Sequence, residues 1–387
     1  MRFWTPIILF VSLLVVLVGV GVYLGFRNVQ SLRGNVNTRS ATGSETRNRS
    51  TEPIEEKSTR ISVPLPFPIA FTSERDGQKE IYITIDAGSD GMNITNHESD
   101  DTSFLPFEDG GIFVSQRNGD HDVFYVHYIN GLAIENLSDN PAVEKQIAVS
   151  SDFKKLLFTS TRDGNVDIFL FLSEGFPPRN LTRNESSDEF PVWMPDGNRF
   201  LFESDREGNY DIFLQYIDGT TSKNVTQNPA SDRFPMPSPD GKYLAFESNR
   251  DGSVRILMYN FDNEQTELIS SDTGSDNTPL FSHDGKSLVF NHVENEMSKI
   301  QIMNLADKNI RDITDYEKAI GVSGFSPDDK WLMFVSKRTG DLDVFILNLE
   351  SSKLINVTNH DGSDYYPAFL PSMDSPFIKS LFPESNF

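Results

Sequence analysis

Short apolar runs and turn residues alternate in a fixed order along most of the chain. Residues 190–226 contain one full unit: an apolar run, a Pro-Asp-Gly turn, a second apolar run ending in Phe-Glu-Ser, an Arg-x-Gly turn, a third run, and a polar hairpin before Asn-Val-Thr. The runs are rich in β-branched and aromatic residues and are bounded by turn residues, which predicts four short strands per unit. No segment shows a convincing helical period, so a parallel sheet with crossover helices is not expected.

The unit recurs about every 44 residues, a period typical of repeat architectures. The phenylalanine that closes the second apolar run marks each copy: Phe71, Phe113, Phe158, Phe202, Phe246, Phe290 and Phe334. Four strands at this period are what one blade of a β-propeller needs. The pattern therefore predicts an all-β fold, a β-propeller of seven four-stranded blades.

The two ends of the repeat region complement each other. The first copy begins at its second strand, because no Pro-Asp-Gly turn precedes Ile69. Residues 365–370 match the missing first strand, so the C-terminal strand is expected to complete blade 1 and leave no open sheet edge. We place the propeller at residues 67–371 and a C-terminal tail at 372–387.

The N-terminus begins with an uncharged, apolar segment at residues 5–26. About 20 apolar residues span a bilayer as a helix, and no small-x-small cleavage site follows, so we expect residues 1–26 to be a transmembrane anchor rather than a cleaved signal peptide. Polar residues 27–66 are expected to be a flexible linker. Several arginines follow the segment on its C-terminal side. By the positive-inside rule, this would keep the predicted propeller in the cytoplasm. A span so close to the N-terminus is also a common export signal, and we favour a periplasmic or cell-surface body while the orientation stays open.

Composition narrows the possible partners. The formal net charge is −23, and residues 1–60 hold 8 basic and 4 acidic residues, so the acidic excess lies in the predicted propeller. Such a body should repel nucleic acid and is compatible with a protein or peptide partner, including a basic one. The chain has no cysteine, which excludes disulfides, thiolate zinc sites and a cysteine nucleophile.

The repeat resembles the WD40-like propeller repeat of the TolB C-terminal domain. Residues 235–252 (PMPSPDGKYLAFESNRDG) and 324–345 (GFSPDDKWLMFVSKRTGDLDVF) carry the resemblance well, and it covers about residues 67–371. It implies an extracytoplasmic protein-interaction scaffold, with the channel mouth as the usual contact site. Similar repeats also precede the catalytic domain of prolyl oligopeptidase-like enzymes, and TolB propellers have six blades rather than the seven counted here.

A carboxylate recurs three residues before the first-strand proline. Its positions are Asp100, Glu144, Asp188, Asp232, Asp276 and Asp364, and the seventh copy has Ile320 instead. One interpretation is a negative collar around a channel mouth that attracts a cation or a basic peptide. The other is structural, with each carboxylate accepting hydrogen bonds from backbone amides or from a Ser-x-Arg arginine. Recurrence favours the structural interpretation, because a fold-building contact must repeat in every blade and a binding contact need not.

No catalytic, cofactor or metal motif emerges from the sequence. The Ser-x-Arg arginines (Arg75, Arg117, Arg162, Arg206, Arg250 and Arg338) are expected to be structural, since a guanidinium satisfies several acceptors at once. The histidines form no metal-binding set, and no nucleophile elbow or phosphate loop is present. The favoured function is a membrane-tethered binding scaffold; a hydrolase or lyase with a site in the channel, and an envelope sensor, are the alternatives. Any specific function is expected where the repeat departs from its pattern, at residues 292–299 and Ile320.

Overall fold

The computed structural model describes residues 62–128, 131–172, 177–270, 273–315, 317, 320–383 and 385. The predicted anchor and nearly all of the predicted linker lie outside these residues. Within them, no helix is both long and apolar enough to cross a membrane.

The described strands form seven antiparallel four-stranded sheets, one per repeat. Blade 1 begins with β1 (Val63–Ser73), β2 (Glu80–Ala87) and β3 (Met92–Asn93). Blade 2 contains β4 (Asp101–Pro106), β5 (Gly110–Ser115), β6 (Asp122–Tyr128) and β7 (Leu132–Asn136). Blade 3 contains β8 (Glu144–Val149), β9 (Lys155–Ser160), β10 (Asp167–Leu172) and β11 (Arg179–Asn180). Blade 4 contains β12 (Asp188–Trp193), β13 (Arg199–Ser204), β14 (Asp211–Tyr216) and β15 (Ser222–Asn224).

The remaining blades follow the same order. Blade 5 contains β16 (Asp232–Pro237), β17 (Tyr243–Ser248), β18 (Arg255–Asn260) and β19 (Gln265–Leu268). Blade 6 contains β20 (Ser275–Phe281), β21 (Ser287–Glu294), β22 (Met297–Asn304) and β23 (Ile310–Asp312). Blade 7 contains β24 (Ile320–Phe325), β25 (Trp331–Ser336), β26 (Asp343–Asn348) and β27 (Leu354–Asn356). The last strand, β28 (Asp364–Phe369), returns to blade 1.

Strand β28 closes the ring. It pairs with β1, with Ile69 opposite Phe369 and Ser73 opposite Asp364. The first strands of neighbouring blades contact one another all the way round, from β4 through β8, β12, β16, β20 and β24 to β28 and back to β4. They therefore form the innermost ring, and the predicted seven-bladed propeller closed by its C-terminal strand is confirmed.

The recurring phenylalanines form the centre of each blade. The seven that mark the repeat are at most 1% exposed. Most of them stack on the aromatic residue opposite in the third strand, as Phe202 does on Phe213 at 5.7 Å between ring centroids. Burying each such side chain contributes about 1.5–3 kcal/mol, so one residue type at one position stabilises every blade.

The segment predicted as a tail contains a helix, α1 (Pro376–Leu381). Ser375 caps it by accepting a hydrogen bond from the backbone N–H of Ile378. Its buried residues Phe377, Ile378 and Leu381 belong to the apolar cluster that joins blades 1 and 2. The helix is too short to produce a recognisable apolar period, which explains why the sequence pattern missed it.

A β-bulge interrupts the first strand of each blade. In six first strands, the residue two positions after the recurrent carboxylate position has a positive φ without being glycine: Ser103, Gln146, Phe190, Phe234, Thr278 and Tyr366, with φ between 46° and 68°. The pairing register shifts at the same point, for example between Glu189 and Val192. Such bulges re-aim neighbouring side chains, and this one occurs at the start of the strands that surround the axis.

Candidate ligand site at the channel mouth

The recurrent carboxylates are buried inside a repeated ion pair. Asp188 lies opposite Ser204 and accepts a hydrogen bond of 2.8 Å from Nη2 of Arg206, whose Nε donates to Oγ of Ser204. Glu144 with Arg162 and Asp232 with Arg250 repeat this unit at 3.1 and 2.9 Å. These three carboxylate side chains are all 0% exposed.

In blade 2 the unit contains Asp101 and not Asp100, which corrects the sequence-based assignment. Asp101 is buried and accepts from Nη2 of Arg117 at 2.8 Å. Asp100 is exposed, and its carboxylate accepts a hydrogen bond from the backbone N–H of Lys79. Asp101 precedes Glu144 of the next copy by 43 residues, whereas the following carboxylates are 44 residues apart, so counting back at a constant period lands one residue early, on Asp100.

This geometry matches the structural interpretation of the carboxylates. Burial raises the pKa of Asp188 and of Asp232, while hydrogen bonds from serine and arginine act in the opposite direction. A carboxylate that is fully buried and already paired presents no free charge to an incoming cation.

Three blades build the same unit from other residues. In blade 6, Asp276 lies 2.8 Å from Nδ1 of His292 and 3.5 Å from Nη1 of Arg255. In blade 7, Ile320 replaces the carboxylate, and Arg338 pairs instead with Glu317.

In blade 1, the carboxylate of Asp364 lies 3.8 Å from Arg75 and 3.3 Å from His360. Burial raises its pKa to about 6, because the hydrogen bonds and the two basic partners offset only part of the desolvation. The charged form of Asp364 is therefore less favourable in this buried position than that of an exposed aspartate.

The residue directly after the recurrent carboxylate position of each first strand has a different character. These residues are Thr102, Lys145, Glu189, Arg233, Asn277, Gly321 and Tyr365. Except for Gly321 they are partly or fully exposed, although each directly follows a buried residue. Because the first strands form the innermost ring and these residues lie near the start of each strand, they are grouped at one end of the channel, and we call them the mouth ring.

Polar side chains of the preceding blade fix the bulges next to the mouth ring. In four successive junctions, a side-chain oxygen accepts the backbone N–H of the bulged position: Gln146 from Phe190, Glu203 from Phe234, Glu247 from Thr278, and Asn291 from Val322, at 3.0, 2.6, 2.7 and 3.2 Å. The junctions from blade 3 to blade 7 are thus tied together at the channel mouth.

Arg233 stands at the centre of this tied region. Its Nε donates to Oε2 of Glu203 at 2.7 Å, and its guanidinium lies 4.1 Å from the centroid of the Tyr210 ring. Phe190 and Phe234 complete an aromatic wall at 5.8 and 5.6 Å. Burial alone would lower the pKa of Arg233, but its interactions with Glu203, Tyr210 and Glu189 together outweigh burial and raise the pKa above the ordinary value.

Glu247 is the second unusual group. It lies opposite Arg233 in the pairing of β16 with β17, and it is half-buried. Burial raises its pKa to about 8, and the nearby Glu203 adds to this, while the Thr278 N–H and Arg233 act against it. Glu247 is therefore protonated at neutral pH.

Glu203, Glu247 and Arg233 are not predicted from the repeat pattern of the sequence. The available signal was the Phe-Glu-Ser ending of two second strands, which places an acidic residue in an otherwise apolar run. That position holds Thr72, Val114, Thr159, Asn291 and Val335 in the other copies, so it does not recur.

Comparison with known proteins supports the fold. A family model described as the TolB beta propeller domain matches residues 120–279, 207–317 and 277–380. No curated protein matches the chain in sequence.

Several solved structures are similar in fold. TolB from Acinetobacter baumannii is 16% identical, with a TM-score of 0.51 over 79% of this chain and 67% of that one. An oligogalacturonate lyase in complex with manganese is 16% identical, with a TM-score of 0.62 over 74% and 86%. A puromycin-hydrolyzing peptidase of Mycobacterium tuberculosis is 11% identical, with a TM-score of 0.63 over 83% of this chain and 55% of that one.

Proposed function

Because the chain belongs to the TolB beta propeller domain family, we propose that it is a binding protein whose channel mouth receives a protein or peptide partner. The observation that carries the proposal is the mouth ring. Its residues differ from blade to blade, whereas the buried residues beside them repeat. Fold-building contacts recur in every blade, so a position that is exposed, axial and variable is the one free to serve recognition.

The mouth ring is also chemically divided. Lys145, Glu189 and Arg233 place charges on blades 3, 4 and 5. Asn277, Gly321, Tyr365 and Thr102 provide an uncharged arc on blades 6, 7, 1 and 2. A partner segment inserted into the mouth would meet charged groups on one side and an aromatic ring on the other, a combination suited to a peptide.

Site-specific cross-linking tests this proposal. A photoreactive amino acid replaces Asn277 in the mouth ring, and in a matched variant it replaces Lys223 on the outer strand β15. We expect a discrete cross-linked partner from position 277 in cells and none from position 223. Cross-links from position 223 alone would contradict binding at the mouth.

We also propose that the propeller is held at a membrane through residues 5–26, on the extracytoplasmic side. The support is the uncharged length of that segment and its position near the N-terminus. The chain lacks cysteine, so one introduced thiol reports location. Gly252 has φ +86°, which strains any side chain there, so the neighbouring exposed Asp251 is the better position.

In spheroplasts of an expressing bacterium, Asp251→Cys is expected to react with a membrane-impermeant maleimide. Labelling that appears only after lysis would place the propeller in the cytoplasm.

Catalysis in the channel is a second candidate function. Glu247, with its pKa raised to about 8, is in the range in which a carboxyl serves as general acid or base near neutral pH. The test is to screen the purified protein against oligosaccharides and peptides. Turnover that disappears in Glu247→Gln would favour an enzyme over a binding protein.

A further inference from the structure

Arg233 is fixed in position, with part of its hydrogen-bonding capacity unused. Glu203 holds the Nε edge and Tyr210 supports one face of the guanidinium. Neither terminal nitrogen donates a hydrogen bond to any residue in the described part of the chain, and the side chain is 22% exposed at the mouth. An arginine restrained in this way loses little conformational entropy when it binds a ligand.

We infer that Arg233 binds a carboxylate of the partner through its two terminal nitrogens. The inference rests on the proposed function and specifies the chemistry of its ligand. The planar fork of a guanidinium matches the two oxygens of a carboxylate, and such bidentate pairs are stronger than neutral hydrogen bonds. Phe234 and Phe190 beside the fork shield the pair from water, which strengthens it further.

The charges around Arg233 permit an anion. Glu203 is paired with Arg233 itself, and Glu189 accepts hydrogen bonds from Ser187 and Tyr210 at 2.9 and 3.3 Å. Glu247, which faces Glu203 and Arg233, carries a proton at neutral pH and so does not repel an incoming carboxylate. Lys145 adds a positive charge to the same ring.

Fluorine NMR with small probes tests the inference on the full-length protein in detergent micelles. N-acetyl-4-fluorophenylalanine carries a terminal carboxylate, and its carboxamide is the neutral control. N-acetylglutamyl-4-fluorophenylalanine amide carries only a side-chain carboxylate, so it distinguishes a chain terminus from an acidic side chain. We expect one or both acids to bind, and the carboxamide to bind at least tenfold more weakly.

Substitutions locate the binding. Arg233→Met is expected to weaken acid binding at least tenfold, and Arg233→Lys, which keeps the charge without the fork, is expected to give an intermediate loss. Lys223→Met, on the outer surface, serves as the matched control and is expected to change nothing. Equal binding of acid and carboxamide, no binding of either acid, or unchanged binding by Arg233→Met would overturn the inference.

The pH dependence provides an independent readout. Acid binding by the wild type is expected to weaken as the pH rises through about 8, because Glu247 then loses its proton. Glu247→Gln keeps an acceptor for the Thr278 N–H and cannot ionise, so its binding is expected to stay constant across that range. A wild-type affinity that is flat from pH 6 to 9 would contradict the role given to Glu247.

The two proposals fail separately. Cross-links from position 277 without a preference for acids would leave binding at the mouth intact and remove the carboxylate inference. Binding of the acids without cross-links from position 277 would leave the carboxylate inference intact and remove the proposed binding of a partner at the mouth.

Discussion

At the scale of single residues, those that recur from blade to blade stabilise the fold, and those that vary are available for recognition. The carboxylate, serine and arginine that recur in the blades contact one another, and in the set of Asp188, Ser204 and Arg206 the carboxylate is fully buried. The arginine also covers the stacked rings of its own blade, with its guanidinium 4.5 Å from the centroid of Phe213. These residues stabilise the blade, and the variable residues of the mouth ring are left to contact a partner.

Two adjacent aspartates in blade 2 provide a direct test of this distinction. Asp101→Ala leaves Arg117 without its buried partner and is expected to cost about 3 kcal/mol of unfolding free energy. Asp100→Ala removes an exposed carboxylate and is expected to cost less than about 1 kcal/mol. Urea unfolding followed by circular dichroism measures both, and equal losses would show that the pair in blade 2 is not structural.

At the scale of strands, the features that recur in sequence were the ones that could be predicted. The phenylalanine that closes the second strand recurs in all seven copies, so one weak signal becomes a strong one through repetition. Glu203 and Glu247 carried a weaker signal, because a glutamate occupies that position in only two of the seven copies. Asp100 was misassigned because blade 2 has a shorter separation, and α1 was missed because one short turn of helix has no period.

The closing strand β28 carries a pH-sensitive group. The pKa of Asp364 is about 6 in the folded protein and about 3.9 in an unfolded chain, so the folded state binds the proton more tightly. Stability is therefore lost as the pH rises from about 4 to 6, by on the order of 3 kcal/mol.

The side chain in Asp364→Asn cannot ionise. The difference in unfolding free energy between this variant and the wild type is therefore expected to move in favour of the variant from about pH 4 to 6 and to stay constant at higher pH. Urea midpoints at pH 4, 5, 6 and 7 measure the trend. Asp100→Asn changes an exposed aspartate outside the buried ion pair and serves as the control. Its urea midpoints are expected to change with pH in the same way as those of the wild type.

At the scale of the whole molecule, the ring depends on both ends of the repeat region. Blade 1 takes three strands from the start of the propeller and β28 from its end. Helix α1 then packs against the cluster shared by blades 1 and 2. The pairing of β1 with β28 thus joins residues about 300 positions apart, and the closure of the ring rests on this strand pairing and on α1.

Three shortened chains separate these contributions. A chain ending at residue 382 keeps β28 and α1 and is expected to match the full-length protein. One ending at 371 keeps the ring but loses the buried side chains of Phe377, Ile378 and Leu381, each of which contributes about 1.5–3 kcal/mol when fully buried. It is expected to fold with a lower unfolding midpoint.

A chain ending at 362 also loses β28, which exposes the edge of β1 to pairing with other molecules. Size-exclusion chromatography is expected to show oligomers or aggregates for this chain alone, because an open propeller can satisfy its free edge only through a second copy. A monomeric, cooperatively folded protein ending at residue 362 would mean that contacts between blades hold the ring without the closing strand.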